Sequence, residues 1–198
     1  MNSEISDLVI IRPAEPRDKY AIVEIQYNAL KILGSKDYNS QQLNALLRSK
    51  STPRKFLETI FVAEINRHPV GFASLLHPPN TIGAVFVDPN FARKSIGTQL
   101  LQRIEQEAKT QNIPILWVCS SLTGYNFYKA NNYQTINKSF LALYSTYIPC
   151  VQMKKRLLPV ATNEIIKEIY QLFIIAIASI LLISFYSFIT TLVFGLGK

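Results

Sequence analysis

The chain has 198 residues, 48% of them apolar, and a formal net charge of +8 at pH 7. That length allows one compact domain with something appended. Only two cysteines (Cys119, Cys150) and two histidines (His68, His77), without clustered acids, argue against a disulfide scaffold or a metal site, so no metal is expected. The basic residues are scattered apart from Lys154-Lys155-Arg156 and show neither zinc-finger spacing nor a basic–aromatic motif. The charge excess is therefore assigned to an anionic small molecule and to lipid headgroups rather than to nucleic acid.

Met1 to Asp7 carries Glu4 and Asp7 and no apolar run, so no signal peptide is expected. Val9-Ile10-Ile11-Arg12 reads as a first strand. From Asp18 to about Leu33, Ala21, Ile22, Ile25, Ala29 and Ile32 recur at helical spacing. A second helix is expected over Ser40 to Arg48 with Ser40 as its N-cap. Residues 60–65 and 70–76 flank a four-residue turn, as in a hairpin. A strand follows from about Ile82 to Val87. A helix to about Gln111 sets Leu100, Leu101, Ile104 and Ala108 on one face, with Glu105 and Lys109 able to pair on the exposed side. Residues 115–119 read as a buried strand, with Cys119 as a small reduced core residue. A short helix, a strand from Tyr133 and a closing strand over 147–154 complete the domain.

Two motifs carry the chemistry. The first runs Val85-Phe86-Val87-Asp88-Pro89-Asn90-Phe91-Ala92-Arg93-Lys94-Ser95-Ile96-Gly97-Thr98, then Leu100-Leu101. An apolar strand enters a proline turn, and a basic loop opens a helix. The free N–H groups of a helix start, its dipole, and Arg93 and Lys94 favour an anion such as a diphosphate. The second motif runs from Ser121 through Gly124, Phe127 and Tyr128 to Asn132-Tyr133. Asn132 tolerates the left-handed backbone that a helix end often needs.

In this order and spacing the two motifs resemble motifs A and B of the GNAT superfamily of N-acetyltransferases, over residues 8–156. Val87, Pro89, Ile96-Gly97 and Leu100-Leu101 match the first; Ser121, Phe127 and Tyr128 match the second. Ala92 stands where many members carry Arg or Gln, and Ser95 replaces the usual first glycine. The resemblance implies an α+β fold with a mixed sheet, the acyl-CoA N-acyltransferase fold. It also implies acetyl-CoA as co-substrate, bound by Val85, Phe86, Val87, Arg93, Lys94, Ser95, Ile96, Gly97, Thr98 and Ser121. Ser95 would allow close phosphate approach with a negative φ. Tyr128 is implied to lie near the thioester sulfur and to protonate the leaving thiolate.

The implied reaction moves an acetyl group to an amine, a small molecule or a peptide or protein, that must be neutral to attack. The strand before the first motif has no carboxylate, and Asp88 in the turn is read as a backbone hydrogen-bonder. Glu64, His77 or water remain as alternatives for the base. Tyr27, Asn28, Lys36, Asp37 and Tyr38 are the candidates for acceptor choice. A catalytically weak acyl-CoA-binding module that regulates or interacts at a membrane is the alternative function.

Beyond the domain (1–156) and a juxtamembrane linker (157–168), residues 169–197 contain no charged side chain. About 20 apolar residues span a bilayer, so 169–195 is expected to form a transmembrane helix in contact with the lipid bilayer. Lys154, Lys155, Arg156 and Lys167 precede it and only Lys198 follows, which puts the N-terminal domain in the cytoplasm of a single-pass protein.

Overall fold

The structure is a computed structural model and describes residues 9–49, 57–78, 80–159 and 162–195. The expectations for Met1 to Asp7 and Lys198 lie outside the described residues. The chain divides into two compact units, Met1–Leu158 and Pro159–Lys198.

In the first unit seven strands form one mixed sheet. They are β1 (Ile10–Pro13), β2 (Leu57–Ile65), β3 (His68–His77), β4 (Thr81–Val87), β5 (Ile115–Ser121), β6 (Gln134–Leu143) and β7 (Thr146–Arg156), in the order β1-β2-β3-β4-β5-β7-β6. Among the described residues of this unit four α-helices accompany them: α1 (Lys19–Leu33), α2 (Ser40–Ser49), α3 (Ile96–Thr110) and α4 (Tyr125–Ala130). The period-2 alternation of β2 and β3 places successive side chains on opposite faces. Phe61, Ala63, Ala73 and Leu75 pack in one core with Leu100, Leu101 and Ile104 of α3. Val62 and Phe72 pack in another with Ile25 of α1. Both faces of the sheet centre are therefore covered, which explains why its strands read as continuous apolar runs.

Local chemistry corrects several boundaries. The β2–β3 hairpin turns on two residues rather than four. Asn66 and Arg67 have φ of 50° and 64°, and Ile65 pairs with His68. Two successive positive φ values match the twist that a two-residue hairpin needs. Helix α2 is capped by Asn39 rather than Ser40. The Gln42 N–H donates to Asn39 Oδ1 at 2.9 Å, and the Asn39 N–H donates to Gln42 Oε1 at 3.2 Å. This reciprocal pair is a capping box. Glu105 is not on the exposed side of α3: it is 9% exposed, and Lys155 Nζ donates to both of its carboxylate oxygens at 2.8 Å. Cys119 is exposed rather than buried, because β5 alternates and turns Leu116, Val118 and Ser120 inward.

In the second unit helix α5 spans Thr162–Gly195, starting inside the expected linker. At about 1.5 Å per residue its 34 residues extend about 51 Å. Its described apolar side chains, from Ile165 to Ile183, are exposed. Among the described residues no helix is long and apolar enough to cross a membrane. The side chains of Leu181 and of 184–195 lie outside the described residues. The described residues thus supply no transmembrane helix to match the expectation for 169–195.

Candidate active site

The site begins where the sheet opens. β4 and β5 are parallel neighbours, but they pair only at Thr81↔Trp117 and Ile82↔Val118. Past that point β4 stays paired with β3 as far as Val87↔Gly71. The cause is local. Ser74 pairs with Ala84 and Leu75 with Ile82, so Gly83 is an extra residue in β4. Such a bulge bends its strand and strengthens the local twist. β4 therefore leaves β5, and a wedge opens between the two strands. A cavity of about 640 Å³ lies there, with Val85, Phe86 and Val87 on one wall and Val118, Cys119 and Ser121 on the other. On the cavity side, β4 beyond Ile82 has no strand partner among the described residues, and such an edge can pair with an extended ligand.

The loop after β4 closes one end of the cavity. Asp88 accepts from the Asn90 N–H at 2.8 Å and so shapes the turn, as its position implied. Arg93, Ser95, Ile96, Gly97 and Thr98 all line the cavity. Lys94 does not; its ammonium lies 5.2 Å from the centre of the Phe91 ring. The first intrahelical bond of α3 runs from the Gln99 N–H to the Ser95 carbonyl at 3.1 Å. The N–H groups of Ile96, Gly97 and Thr98 precede it and have no intrahelical acceptor. A hydrogen-bonding cradle beside the Arg93 guanidinium results. One detail is corrected: Ser95 has φ of 61°, the left-handed region, as does Arg93 with 63°. The loop makes its sharp entry through a conformation that costs a non-glycine residue about 1 kcal/mol. Gly97 has room rather than necessity, since an added Cβ would meet Phe127 at 3.4 Å and Val87 at 3.7 Å.

Tyr128 comes from α4. Its ring packs edge-on against Phe127 at 5.1 Å and Tyr133 at 5.4 Å between centroids. The residue is buried and lines the cavity. Desolvation raises its phenol above the ordinary value, and no hydrogen bond contributes to that shift. Ser121 Oγ accepts from the Gly124 N–H at 3.0 Å and holds the start of α4.

The other residues considered from sequence are placed elsewhere or already engaged. Glu64 accepts from Arg12 Nε at 2.8 Å, and Arg12 also donates to both oxygens of Asp18 at 2.7 and 2.9 Å. His77 Nε2 faces Thr59 Oγ1 at 3.3 Å. Neither Glu64 nor His77 lines the cavity. Of the acceptor candidates only Tyr38 does; Tyr27, Asn28, Lys36 and Asp37 do not. The Tyr38 hydroxyl accepts from the Leu122 N–H at 2.9 Å and donates to the Pro149 carbonyl at 3.1 Å, tying β7 to the loop after β5. Desolvation raises its pKa. Asp37 accepts from Thr123 Oγ1 at 2.6 Å. The Cys119 thiol meets Cys150 Sγ at 2.6 Å, and desolvation with this contact pushes it up to about 12. A thiol held so far from ionisation is a poor nucleophile at neutral pH.

The cavity also takes residues that sequence reading missed. Leu30 and Leu33 of α1, Leu46 of α2, and Leu141 and Leu143 of β6 line it. Apolar periodicity marked the first helix as amphipathic, but it gave no sign that part of this stripe faces a cavity rather than a strand.

Residues 57–135 match a family described as acetyltransferase (GNAT) domain. No curated protein sequence matches the chain. Solved structures share the fold. A GCN5-related N-acetyltransferase from Rhodopseudomonas palustris superposes with a TM-score of 0.70 at 24% identity, covering 74% of this chain and 94% of its own. The PaiA N-acetyltransferase from Thermoplasma acidophilum, in complex with coenzyme A, gives 0.58 at 18% identity, with 75% and 98% covered. YncA from Salmonella typhimurium, a putative acetyltransferase with its cofactor acetyl-CoA, gives 0.55 at 18%, with 78% and 96% covered. Residues 57–135 are thus similar to a GNAT acetyltransferase domain, and the first unit shares the fold of these solved structures.

Proposed function

We propose that this chain is a membrane-anchored N-acetyltransferase that moves an acetyl group from acetyl-CoA to an amine, with its N-terminal domain in the cytoplasm. The observation that carries the transfer reaction is the wedge between β4 and β5, flanked by the start of α3 at one end and by Tyr128 inside. Coenzyme A fits this arrangement by chemistry. Its pyrophosphate suits the N–H groups of Ile96, Gly97 and Thr98 beside Arg93. Its extended amide-bearing arm suits the free edge of β4 at Val85, Phe86 and Val87. Ser121 shapes the opposite wall.

The chain's part in the reaction follows. The cavity holds a neutral amine against the thioester carbonyl carbon; the C–N bond forms, and the C–S bond then breaks. The Tyr128 hydroxyl donates a hydrogen bond to the sulfur as negative charge develops there, and the amine's surplus proton finally resides on the thiol or in solvent. Placing reactants in this way is worth more than any single group.

Anchoring rests on the sequence. Residues 169–197 hold no charged side chain, and α5 is helical through Gly195. A helix apolar on all sides is buried in protein or in a membrane. Ser179 Oγ donates to the Ile175 carbonyl at 2.9 Å, so its hydroxyl is satisfied within the helix. Lys154, Lys155, Arg156 and Lys167 on the N-terminal side suit the cytoplasmic face.

Calorimetry with acetyl-CoA, followed by thiol release against a panel of amines, tests the transfer reaction. Binding and amine-dependent thiol release are expected; no binding refutes it. Alkaline carbonate washing of membranes tests the anchor: the full chain should stay in the pellet and a chain ending at residue 168 should not. A full chain that washes off refutes anchoring.

A further inference from the structure

We infer that the acceptor is a weakly basic primary amine on an apolar body, such as an aromatic amine or the α-amino group of a peptide that begins with apolar residues. This deepens the acetyl-transfer reading and rests on it. The basic loop and the start of α3 contribute Arg93, Ser95, Gly97 and Thr98 to the cavity lining. Leu30, Leu33, Leu46, Phe86, Leu141 and Leu143, from two helices and two strands, also line it, and the polar side chains beside them, such as Gln26 and Tyr38, are uncharged.

Three acids are paired with cations: Glu64 and Asp18 with Arg12, and Glu105 with Lys155. Asp37 accepts from Thr123 and does not itself line the cavity. Among the described residues no carboxylate and no imidazole lines the cavity, and Arg93 is its one charged side chain. An ammonium ion entering this cavity would give up its hydration without a counter-charge, which is costly. The amine must also lose its proton without a protein base at hand. An α-amino group has a pKa of about 7.7–8.0 and an alkyl ammonium about 10.4, so at pH 7.5 the first is neutral some 200-fold more often. An aromatic amine is more weakly basic still. Solvation and proton availability therefore select the same chemistry.

The experiment uses the full chain and acetyl-CoA at pH 7.5, with four acceptors compared by kcat/KM. These are p-toluidine, the peptide amide Ala-Leu-Phe, spermidine, and a lysine amide with its α-amine blocked. Toluidine or the peptide should exceed both alkyl amines by about 100-fold, and the better of the two tells a small aromatic acceptor from a peptide N-terminus. Leu141→Glu, which sets a carboxylate at the half-exposed mouth, should raise the spermidine-to-toluidine ratio about tenfold. Preference for spermidine or the lysine amide, with coenzyme still bound, overturns this inference and leaves acetyl transfer standing. So does bound acetyl-CoA with no turnover of any of the four. Faster use of octanoyl-CoA than of acetyl-CoA also overturns it, since the apolar lining then holds the acyl chain. Absence of acetyl-CoA binding in calorimetry overturns the acetyl-transfer reading itself.

Discussion

Replacing Tyr128 by Phe should separate chemistry from folding and from coenzyme binding. The magnitude follows from the burial of the phenol. Desolvation raises its pKa above the ordinary value. A phenol starts near 10 and a thiol near 8.5, so complete proton transfer to the thiolate is uphill by at least about 2 kcal/mol. In the proposed reaction the hydroxyl therefore acts chiefly as a hydrogen-bond donor to a charging sulfur, an interaction worth about 1.5–3 kcal/mol. The expected fall in kcat is about 10–150-fold, at the low end of what general acids contribute. Acetyl-CoA affinity should hardly change, because the bond strengthens only as charge develops. Stability should hold too: the edge contacts with Phe127 and Tyr133 survive the substitution, and no hydrogen bond enters the shift of this phenol. A melting temperature within about 2 °C of wild type corresponds to a change of roughly half a kcal/mol. Stopped-flow or steady-state kinetics under chemistry-limited conditions, calorimetry with acetyl-CoA, and thermal melts on the same preparation measure the three quantities. Wild-type kcat would return Tyr128 to the core. A loss shared equally between affinity and rate would make it a binding residue. A melting point several degrees lower would show that the hydroxyl supports the fold.

Three further substitutions test other parts of the argument. Gly97→Glu should abolish acetyl-CoA binding by calorimetry while leaving a folded protein. Its Cβ meets only Phe127 and Val87 at ordinary contact distances, and the new carboxylate would stand beside the α3 start. Ser95→Gly should raise stability by about 0.5 kcal/mol, the relief of a left-handed residue less the added chain entropy of glycine; a chemical denaturation midpoint that falls instead refutes the strain. Asp18→Asn should cost about 3 kcal/mol at pH 7, because it leaves Arg12 with one partner fewer at a buried site. Arg12 holds the Asp18 carboxyl below its ordinary value in the folded state. That stabilisation is therefore complete above about pH 3.9 and is lost as pH falls through the lower folded value. The gap in stability between wild type and variant should be constant above about pH 5 and shrink progressively as pH falls below about 3.9 towards the lower folded value; a gap that does not shrink with acid would show that the pair is not the cause.

Much of this protein is legible along the chain because its signals are local. Helical spacing in α1 and α3, the apolar runs of β3 and β5, and the proline turn at Pro89 depend on neighbours a few residues apart. The basic loop before Ile96 is legible for the same reason: its anion-binding N–H groups belong to the helix start itself. The charge-free stretch after Glu168 is a property of composition alone. Tertiary structure decided what depends on partners far along the chain. Glu64 is a lone carboxylate in the sequence, but the β1–β2 register sets Arg12 against it and takes it out of the chemistry. Glu105 turned inward because Lys155 arrives from β7, 50 residues away. Tyr38 looks like a surface residue until two distant backbone groups claim its hydroxyl. The cavity exists because one extra residue, Gly83, bends β4 away from β5. A bulge is a mismatch between two strands, so neither strand's sequence contains it alone. The apolar lining is likewise assembled from α1, α2, β4 and β6, and it forms only when those segments meet.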